Sequence, residues 1–243
     1  MINFSTVKSI IIPQGNVADV TVGELKLWTS VEPSEPNILP DGYTKLSYIQ
    51  TDGNSWINTE INPSLYATGL EYMFKGRRLA QNNTNDYLWG CLADGKRSGN
   101  VTLNSGLGCT VLYLSNTGTA LKKAPVPALN TDFEIYVKAT PKDAANAVFK
   151  YNGTSFANEF APSNSDMPNA NIYLCYCPNV GSTSKPFIGR VYSFIINMTD
   201  GTPLRNFVPA QRNSDNVVGM YDMVSGAFFT NAGTGSFVAG TEA

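Results

Sequence analysis

The sequence predicts an all-β protein: an antiparallel β-sandwich preceded by a small N-terminal β module. Short segments in which apolar and polar residues alternate recur along the chain, most clearly where Phe133, Ile135 and Val137 alternate with polar neighbours. Turn formers such as Asn152-Gly153 separate these segments. No segment sustains the helical period of about 3.6 residues, so we expect no helix beyond single turns.

The first 30 residues form the predicted β module, with short strands at 7–12, 17–22 and 25–28. Strands of this length bury too little apolar surface to be stable alone. The module must therefore dock on the rest of the chain, on a copy of itself or on a larger assembly. The residues predicted to make this attachment are apolar: Ile10, Ile12, Val20, Val22, Leu27 and Trp28.

A proline-rich segment at 31–40 is predicted to be an extended linker, with the clearest domain boundary near residue 38. The sandwich is predicted to occupy 41–243. Its expected strands are at 43–50, 55–61, 69–75, 86–92, 101–103, 110–114, 133–137, 147–151, 172–177, 189–198, 204–208, 217–221 and 227–230. The first two are expected to form a hairpin, and 76–86 and 157–170 are predicted to be polar loops.

The charge and composition exclude several classes of function. The chain of 243 residues contains no histidine, which excludes Ser-His-Asp and Cys-His catalysis and histidine-ligated zinc. Seventeen basic against 19 acidic residues argue against nucleic acid as the main partner. No apolar run approaches the roughly 20 residues that span a bilayer, so we expect no membrane insertion. No export signal is evident, so synthesis in a bacterial cytoplasm is expected.

The four cysteines, Cys91, Cys109, Cys175 and Cys177, lack C-x-x-C spacing. They are predicted to be free, packed thiols. Cys175 and Cys177 are two residues apart in an apparent strand, so we expect them on one face.

Two blocks of sequence resemble a known family. Residues 39–61 read LPDGYTKLSYIQTDGNSWINTEI, and 188–194, 204–210, 218–222 and 225–237 form a second block that ends in SGAFFTNAGTGSF. They resemble the opening and closing strands of concanavalin A-like (laminin-G-like) jelly-roll domains in tail and virion proteins of gut-bacterial phages. The sequence departs from the usual pattern at Asn58 and Glu60, where that family typically has Asp and Gly.

The residues of these blocks also have structural explanations. Gly42, Gly53, Gly226 and Gly233 are expected to adopt positive φ in tight turns. The aromatic residues Tyr43, Tyr48, Trp56, Tyr192 and Phe207 are expected to fill the core, and Asp222 to cap a turn.

Sugar binding requires an exposed aromatic ring together with polar groups for the hydroxyls. The segment 82–104 is the richest in such residues. The candidate glycan-binding residues are Tyr87, Trp89, Asp94, Arg97, Asn100 and Asn104. The alternative is that Trp89 is a core residue.

The remaining candidate chemistries are glycan hydrolysis and calcium binding. The nearest pair of carboxylates for glycan hydrolysis is Asp132 and Glu134, but the expected pattern of paired acids is absent, so no enzymatic activity is predicted. No cofactor is predicted, with calcium as the alternative at the turns that begin with Asp52, Asp94 and Asp200.

The resemblance implies a non-enzymatic phage virion structural protein on the particle surface. Its N-terminal module resembles short modules that attach such domains to other virion proteins. The jelly roll is then expected to bind host-surface glycans, or to decorate the capsid or tail, and a homotrimer is a further expectation. The alternatives are a glycan hydrolase on the same fold and a cellular surface lectin.

Overall fold

The computed structural model describes residues 19–22, 25–29, 39–114, 120–159, 164–178 and 184–243. The chain divides into two compact units, Met1–Ile38 and Leu39–Ala243. Helical structure in the described residues consists of two short 3-10 segments, Pro63–Leu65 and Pro141–Asn146, in agreement with the prediction. In these ranges no helix has the length and apolar character needed to cross a membrane.

The described strands, in chain order, are β1 (Asp19–Val22), β2 (Leu25–Thr29), β3 (Tyr43–Lys45), β4 (Ile49–Gln50), β5 (Ile57–Asn58), β6 (Leu70–Arg78), β7 (Asn85–Gly90), β8 (Ser98–Asn104), β9 (Cys109–Leu114), β10 (Ala120–Pro125), β11 (Asp132–Ala139), β12 (Val148–Tyr151), β13 (Thr154–Ser155), β14 (Tyr173–Leu174), β15 (Ser184–Pro186), β16 (Gly189–Met198), β17 (Pro203–Arg212), β18 (Val218–Asp222), β19 (Phe228–Phe229) and β20 (Val238–Ala239).

In the first unit, β1 and β2 form an antiparallel pair in which Val20 is paired with Trp28 and Val22 with Leu25 in the backbone register. The predicted attachment residues Val20, Val22, Leu27 and Trp28 thus lie on this pair of strands. Ile10 and Ile12, with the predicted first strand, lie outside the described residues. The attachment role of all six residues stays a prediction.

The second unit is an antiparallel sandwich of two sheets, as predicted. Sheet I has the order β10-β9-β8-β7-β14-β5, and β15 pairs with β7 in parallel. Sheet II has the order β13-β12-β11-β6-β16-β17-β18-β19, with β3 on β17 and with β4 between β16 and β20. The first two strands of the sandwich, β3 and β4, therefore pair with strands from the C-terminal part of the chain.

The predicted hairpin at 43–50 and 55–61 is wrong. β3 and β4 belong to sheet II, whereas β5 pairs with β14 in sheet I. Between them, Oδ1 of Asp52 accepts hydrogen bonds from the Asn54 amide (2.8 Å) and the Ser55 hydroxyl (2.6 Å). This turn carries the chain from one sheet to the other, so its flanking strands do not meet.

Alternation along β6 and β11 directs large apolar side chains into the space between the sheets. Phe74 on β6 and Phe133 on β11 are buried, with ring centroids 5.6 Å apart. Trp89 of sheet I completes this core against Phe74 and Phe194 of sheet II, at 6.0 and 5.5 Å. Burial of each such side chain stabilises the fold by about 1.5–3 kcal/mol relative to exposure.

The sandwich begins two residues earlier than predicted. Leu39, assigned to the linker from the sequence, is buried with Val208, Ala210 and Tyr221. The predicted loop at 76–86 is also shorter, because β6 continues to Arg78. The described residues of the second predicted loop, 157–159 and 164–170, contain no strand.

The glycine and aromatic predictions are met in part. Gly42, Gly53 and Gly226 have φ of 93°, 83° and 73°, as expected for tight turns. Gly233 does not have a positive φ. A Cβ atom there would lie 2.1 Å from the Asn54 carbonyl oxygen and 2.8 Å from the Trp56 ring, so close packing requires this glycine.

Among the aromatic residues expected in the core, Phe207 is fully buried. Tyr43, Tyr48, Trp56 and Tyr192 remain partly exposed. Trp56 still packs against the main core, and Tyr43 packs against the cluster that contains Leu39. The prediction for Asp222 is confirmed: its buried carboxylate accepts hydrogen bonds from the amides of Asn206 and Val224 and from the Ser225 hydroxyl.

All four cysteines are free and buried, in agreement with the prediction. The expected shared face of Cys175 and Cys177 is wrong, because β14 ends at Leu174 and Cys175 has a φ of 67°. Cys175 joins the main core. Cys177 instead accepts a hydrogen bond from Nδ2 of Asn100, with 3.3 Å between the atoms.

Candidate functional site

The six residues predicted to bind a glycan do not form one surface. Tyr87 pairs with Thr102 and Trp89 pairs with Val101, and the register between β7 and β8 shifts between these two pairs. This bulge places Tyr87 and Trp89 on opposite faces of sheet I, although they are two residues apart. Trp89 is completely buried, so it is a core residue and offers no face to a sugar ring.

The two asparagines of this group are used by the fold. Asn100 is fully buried, accepts a hydrogen bond from the Cys91 amide (3.0 Å) and donates one to the Cys91 carbonyl oxygen (2.8 Å). Asn104 donates to Oδ1 of Asn85 at 2.7 Å and accepts from the Leu107 amide at 2.8 Å. These amides therefore satisfy backbone and side-chain groups of sheet I.

The remaining residues of the group are separated. Tyr87 is 4% exposed, whereas Asp94 lies in an exposed turn with a φ of 50°. Arg97 is half-buried, with its guanidinium 5.3 Å from the ring centroid of Tyr113. Glycan binding by Arg97 and Asp94 stays a prediction.

A groove on the outer face of sheet II was not predicted as a binding site. It has a volume of about 500 Å³ and lies over the adjacent strands β11, β6 and β16. Alternation directs the side chains of Phe74 and Phe133 to the core and those of their neighbours outward. The groove is lined by Lys75, Asp132, Phe133, Glu134, Asn152 and Tyr192.

The charged residues of the groove form cross-strand pairs. Asp132 lies opposite Arg77 and Glu134 lies opposite Lys75 in the register of β11 and β6. Arg77 donates to both carboxylate oxygens of Asp132, from Nε at 2.6 Å and from Nη2 at 3.0 Å. Nζ of Lys75 is 2.7 Å from Oε1 of Glu134. Opposed charges of this kind stabilise the strand pairing and fix the side chains.

Tyr192 joins this network from the third strand. The register between β16 and β6 shifts between Val191 and Ser193, so Tyr192 is the additional residue of a bulge. Its hydroxyl donates to Oδ1 of Asp132 at 2.6 Å. The hydrogen bonds from Arg77 and then from Tyr192 lower the pKa of Asp132. Partial burial and the bond to Asp132 raise the pKa of Tyr192.

A second aromatic residue extends the groove beyond Tyr192. The rings of Tyr48 and Tyr192 meet edge to face, with centroids 6.3 Å apart. The Arg190 guanidinium lies 4.2 Å from the Tyr48 ring centroid and 3.4 Å, through Nε, from Oε1 of Gln50. Two partly exposed tyrosines therefore lie beside acids, cations and the Asn152 amide on one surface.

The surroundings of Asp132 do not suit this residue to act as the general acid of a glycosidase. A general acid needs a raised pKa, whereas the pKa of Asp132 is lowered by Arg77 and Tyr192. Glu134 is engaged in the ion pair with Lys75. Asp132 and Glu134 are thus suited to accept hydrogen bonds from a ligand.

Two of the three turns named for calcium, those at Asp52 and Asp200, use their carboxylates internally. Burial raises the pKa of Asp52, but hydrogen bonds from Ser55 and from the amides of Asn54 and Ser236 outweigh it and hold the pKa below its ordinary value. Oδ1 of Asp200 accepts from the Thr202 amide at 2.9 Å. Within the described ranges, no three His, Cys, Asp or Glu residues cluster as metal ligands.

No model of a known protein family matches the sequence, and no curated protein matches it either. The structure is similar to a Bacteroides ovatus protein to which carbohydrate binding has been attributed, with a TM-score of 0.57 and 12% identity over 82% of this chain. The match covers 60% of that protein, so the chain spans about three fifths of its length. This likeness supports the concanavalin A-like jelly-roll fold.

Two further solved structures are less similar to this chain than the Bacteroides ovatus protein is. Domains LG4-5 of the mouse laminin α1 chain have a TM-score of 0.47 and 11% identity, with 85% of this chain and 48% of that chain covered. The CBM40 domain of a Ruminococcus gnavus sialidase has a TM-score of 0.47 and 16% identity, over 63% of this chain and 90% of that domain.

Proposed function

We propose that this protein is a non-enzymatic glycan-binding protein and that the groove on sheet II is its binding site. The observation that carries the proposal is the combination in one groove of Tyr192, an aromatic residue, with the acceptors Asp132 and Glu134 and the donor Lys75. Sugars bind to proteins through stacking on aromatic rings and through hydrogen bonds to such groups. The likeness to the Bacteroides ovatus protein adds support through its fold.

The size of the groove is compatible with this ligand class. Its volume of about 500 Å³ lies within the roughly 300–1,000 Å³ of typical small-ligand sites. Cross-strand ion pairs hold its polar groups in place, so few side chains lose freedom when a ligand binds.

A glycan array probed with the full chain tests the proposal, with Tyr192→Ala and Tyr113→Ala as matched variants. Both tyrosines are half-buried, but Tyr192 lies in the groove whereas Tyr113 lies beside Arg97 on sheet I. We expect binding to be lost in Tyr192→Ala and retained in Tyr113→Ala. A blank array together with absent binding to whole bacterial cells contradicts glycan binding and leaves structural decoration as the function.

The same samples distinguish binding from hydrolysis. We expect no release of reducing sugar from a bound polysaccharide. Release that is lost in Asp132→Asn or Glu134→Gln, with the fold retained, would make the protein a glycan hydrolase instead.

We further propose that the sandwich is displayed on a phage particle and attached through residues 1–30 to other virion proteins. The support is the resemblance of residues 39–61 and 188–237 to jelly-roll domains of phage virion proteins. Deletion of residues 1–30 is expected to abolish incorporation into particles while leaving glycan binding intact. Continued incorporation contradicts the attachment role. A density map of the particle then shows where the protein lies on the particle and whether the protein is a trimer.

A further inference from the structure

The charged residues at the groove on sheet II form cross-strand ion pairs. Arg77 pairs with Asp132 and Lys75 with Glu134. Further along the same two strands, beyond the Tyr136–Met73 pair, Nζ of Lys138 lies 3.6 Å from Glu71. Across β6, the Arg190 guanidinium lies over the Tyr48 ring and bonds to Gln50. The cations that face the groove are thus already engaged by groups of the protein.

From the pairing of Lys75 and Arg77 with acids we propose that the groove selects uncharged glycans and rejects anionic ones, such as those that carry carboxylate or sulfate groups. This inference rests on the proposed function and names the ligand class of the same groove.

An anionic ligand would have to compete with the internal carboxylates. Arg77 uses Nε and Nη2 on Asp132 in a bidentate pair, and Lys75 uses Nζ on Glu134. A ligand carboxylate that approached either cation would face Asp132 or Glu134 within the same pair. Like charges placed side by side cost several kcal/mol, so the ligand anion is disfavoured.

An uncharged sugar meets no such repulsion. Each hydroxyl can both donate and accept a hydrogen bond, and a paired carboxylate or ammonium keeps spare capacity for it. An ammonium has three donors and a carboxylate about four acceptor positions, so the pairs with Glu134 and Arg77 do not exhaust Lys75 and Asp132. Tyr192 supplies an apolar ring beside them.

The experiment measures binding of the full chain to matched oligosaccharides that differ only in one uronate or sulfate group. We expect the neutral member of each pair to bind at least about tenfold more tightly, since like-charge contacts cost several kcal/mol. We also expect its affinity to change little when salt is raised. The inference is overturned if the wild-type chain binds the acidic member equally well or better and if Tyr192→Ala abolishes that binding. The proposed function is then left intact.

Glu134→Gln provides the second test, because it removes a carboxylate whose side chain is 59% exposed and frees Lys75. We expect this variant to gain affinity for the acidic oligosaccharide relative to the neutral one, with thermal unfolding close to that of the wild type, because exposed ion pairs contribute little to stability. An unchanged ratio of the two affinities in a folded Glu134→Gln variant contradicts the proposal. Failure of the wild type to bind any glycan contradicts the proposed function itself, and this inference with it.

Discussion

The Tyr192 hydroxyl donates a hydrogen bond to Oδ1 of Asp132 at 2.6 Å, and this contact reaches from β16 over β6 to β11. The same oxygen accepts from Nε of Arg77 on the intervening strand. Side chains thereby link three adjacent strands on their outer face, in addition to the pairing of their backbones. The ring of Tyr192 is fixed before a ligand arrives, and this favours binding because little conformational entropy is lost.

Tyr192→Phe is expected to weaken glycan binding about three- to tenfold, because it keeps the ring but removes a hydrogen bond worth roughly 1 kcal/mol. Tyr192→Ala removes the ring as well and should abolish measurable binding. Calorimetric titration of both variants checks the order. Full affinity in Tyr192→Ala would show that the ring does not contact the glycan, and Tyr113→Phe serves as the control on sheet I.

Glycan binding is expected to persist as the pH falls to about 4, the ordinary range of an aspartate. The pKa of Asp132 is lowered in the folded protein by Arg77 and Tyr192. Its favourable interactions are therefore present above the unfolded pKa and are lost only as the pH falls through the lower folded pKa.

Arg77→Gln removes the main cause of the lowered pKa, so binding in this variant should decline at a higher pH than in the wild type. Titration of the Asp132 carboxyl carbon by NMR, together with affinity measured across the same pH range, checks both steps. Identical pH profiles for the two proteins would contradict the role given to Arg77.

Trp89→Ala is expected to lower the free energy of unfolding by about 3–5 kcal/mol, because it leaves a cavity among packed aromatic rings. Trp89 contacts Tyr72, Phe74 and Phe194 in the core. Denaturant unfolding measures the loss, and Tyr192→Ala at the surface should cost far less. A stable Trp89→Ala protein that no longer binds glycans would restore Trp89 as a ligand-binding residue.

Gly233→Ala is expected to destabilise the sandwich by about 1–3 kcal/mol through overpacking. The added Cβ would lie 2.1 Å from the carbonyl oxygen of Asn54, so the backbone must move. Gly106→Ala is the control, since its nearest contact there would be a methyl group of Thr84 at 3.2 Å. Equal thermal stability of the two variants would contradict this explanation.

The sequence predicted the sandwich because alternation in segments such as β11 directly reflects which residues face the core. Phe133, Ile135 and Val137 are buried as that pattern requires. The sequence did not predict which strands pair. β4 and β5 are close in the chain, but they belong to different sheets. Nothing in the local pattern at 43–61 distinguishes a hairpin from a crossing between sheets.

The candidate site depended on features that alternation does not reveal. A bulge in β7 places Tyr87 and Trp89 on opposite faces of sheet I, and a bulge in β16 directs Tyr192 outward. The pairing with the neighbouring strand, rather than the local sequence, determines where such a bulge lies. From the sequence, Asp132 and Glu134 stand out only as the nearest pair of carboxylates for glycan hydrolysis. Their partners Arg77 and Lys75 lie more than 50 residues earlier in the chain, and strand register alone brings the pairs together.

A crystal structure of the full chain soaked with a neutral oligosaccharide that binds in solution tests the central claim most directly. The account predicts sugar density over the Tyr192 ring, with hydroxyls in hydrogen-bond contact with Asp132, Glu134 or Lys75 and with the Arg77–Asp132 pair intact. Density on the outer face of sheet I beside Arg97 and Tyr113, with an unoccupied groove on sheet II, would contradict it.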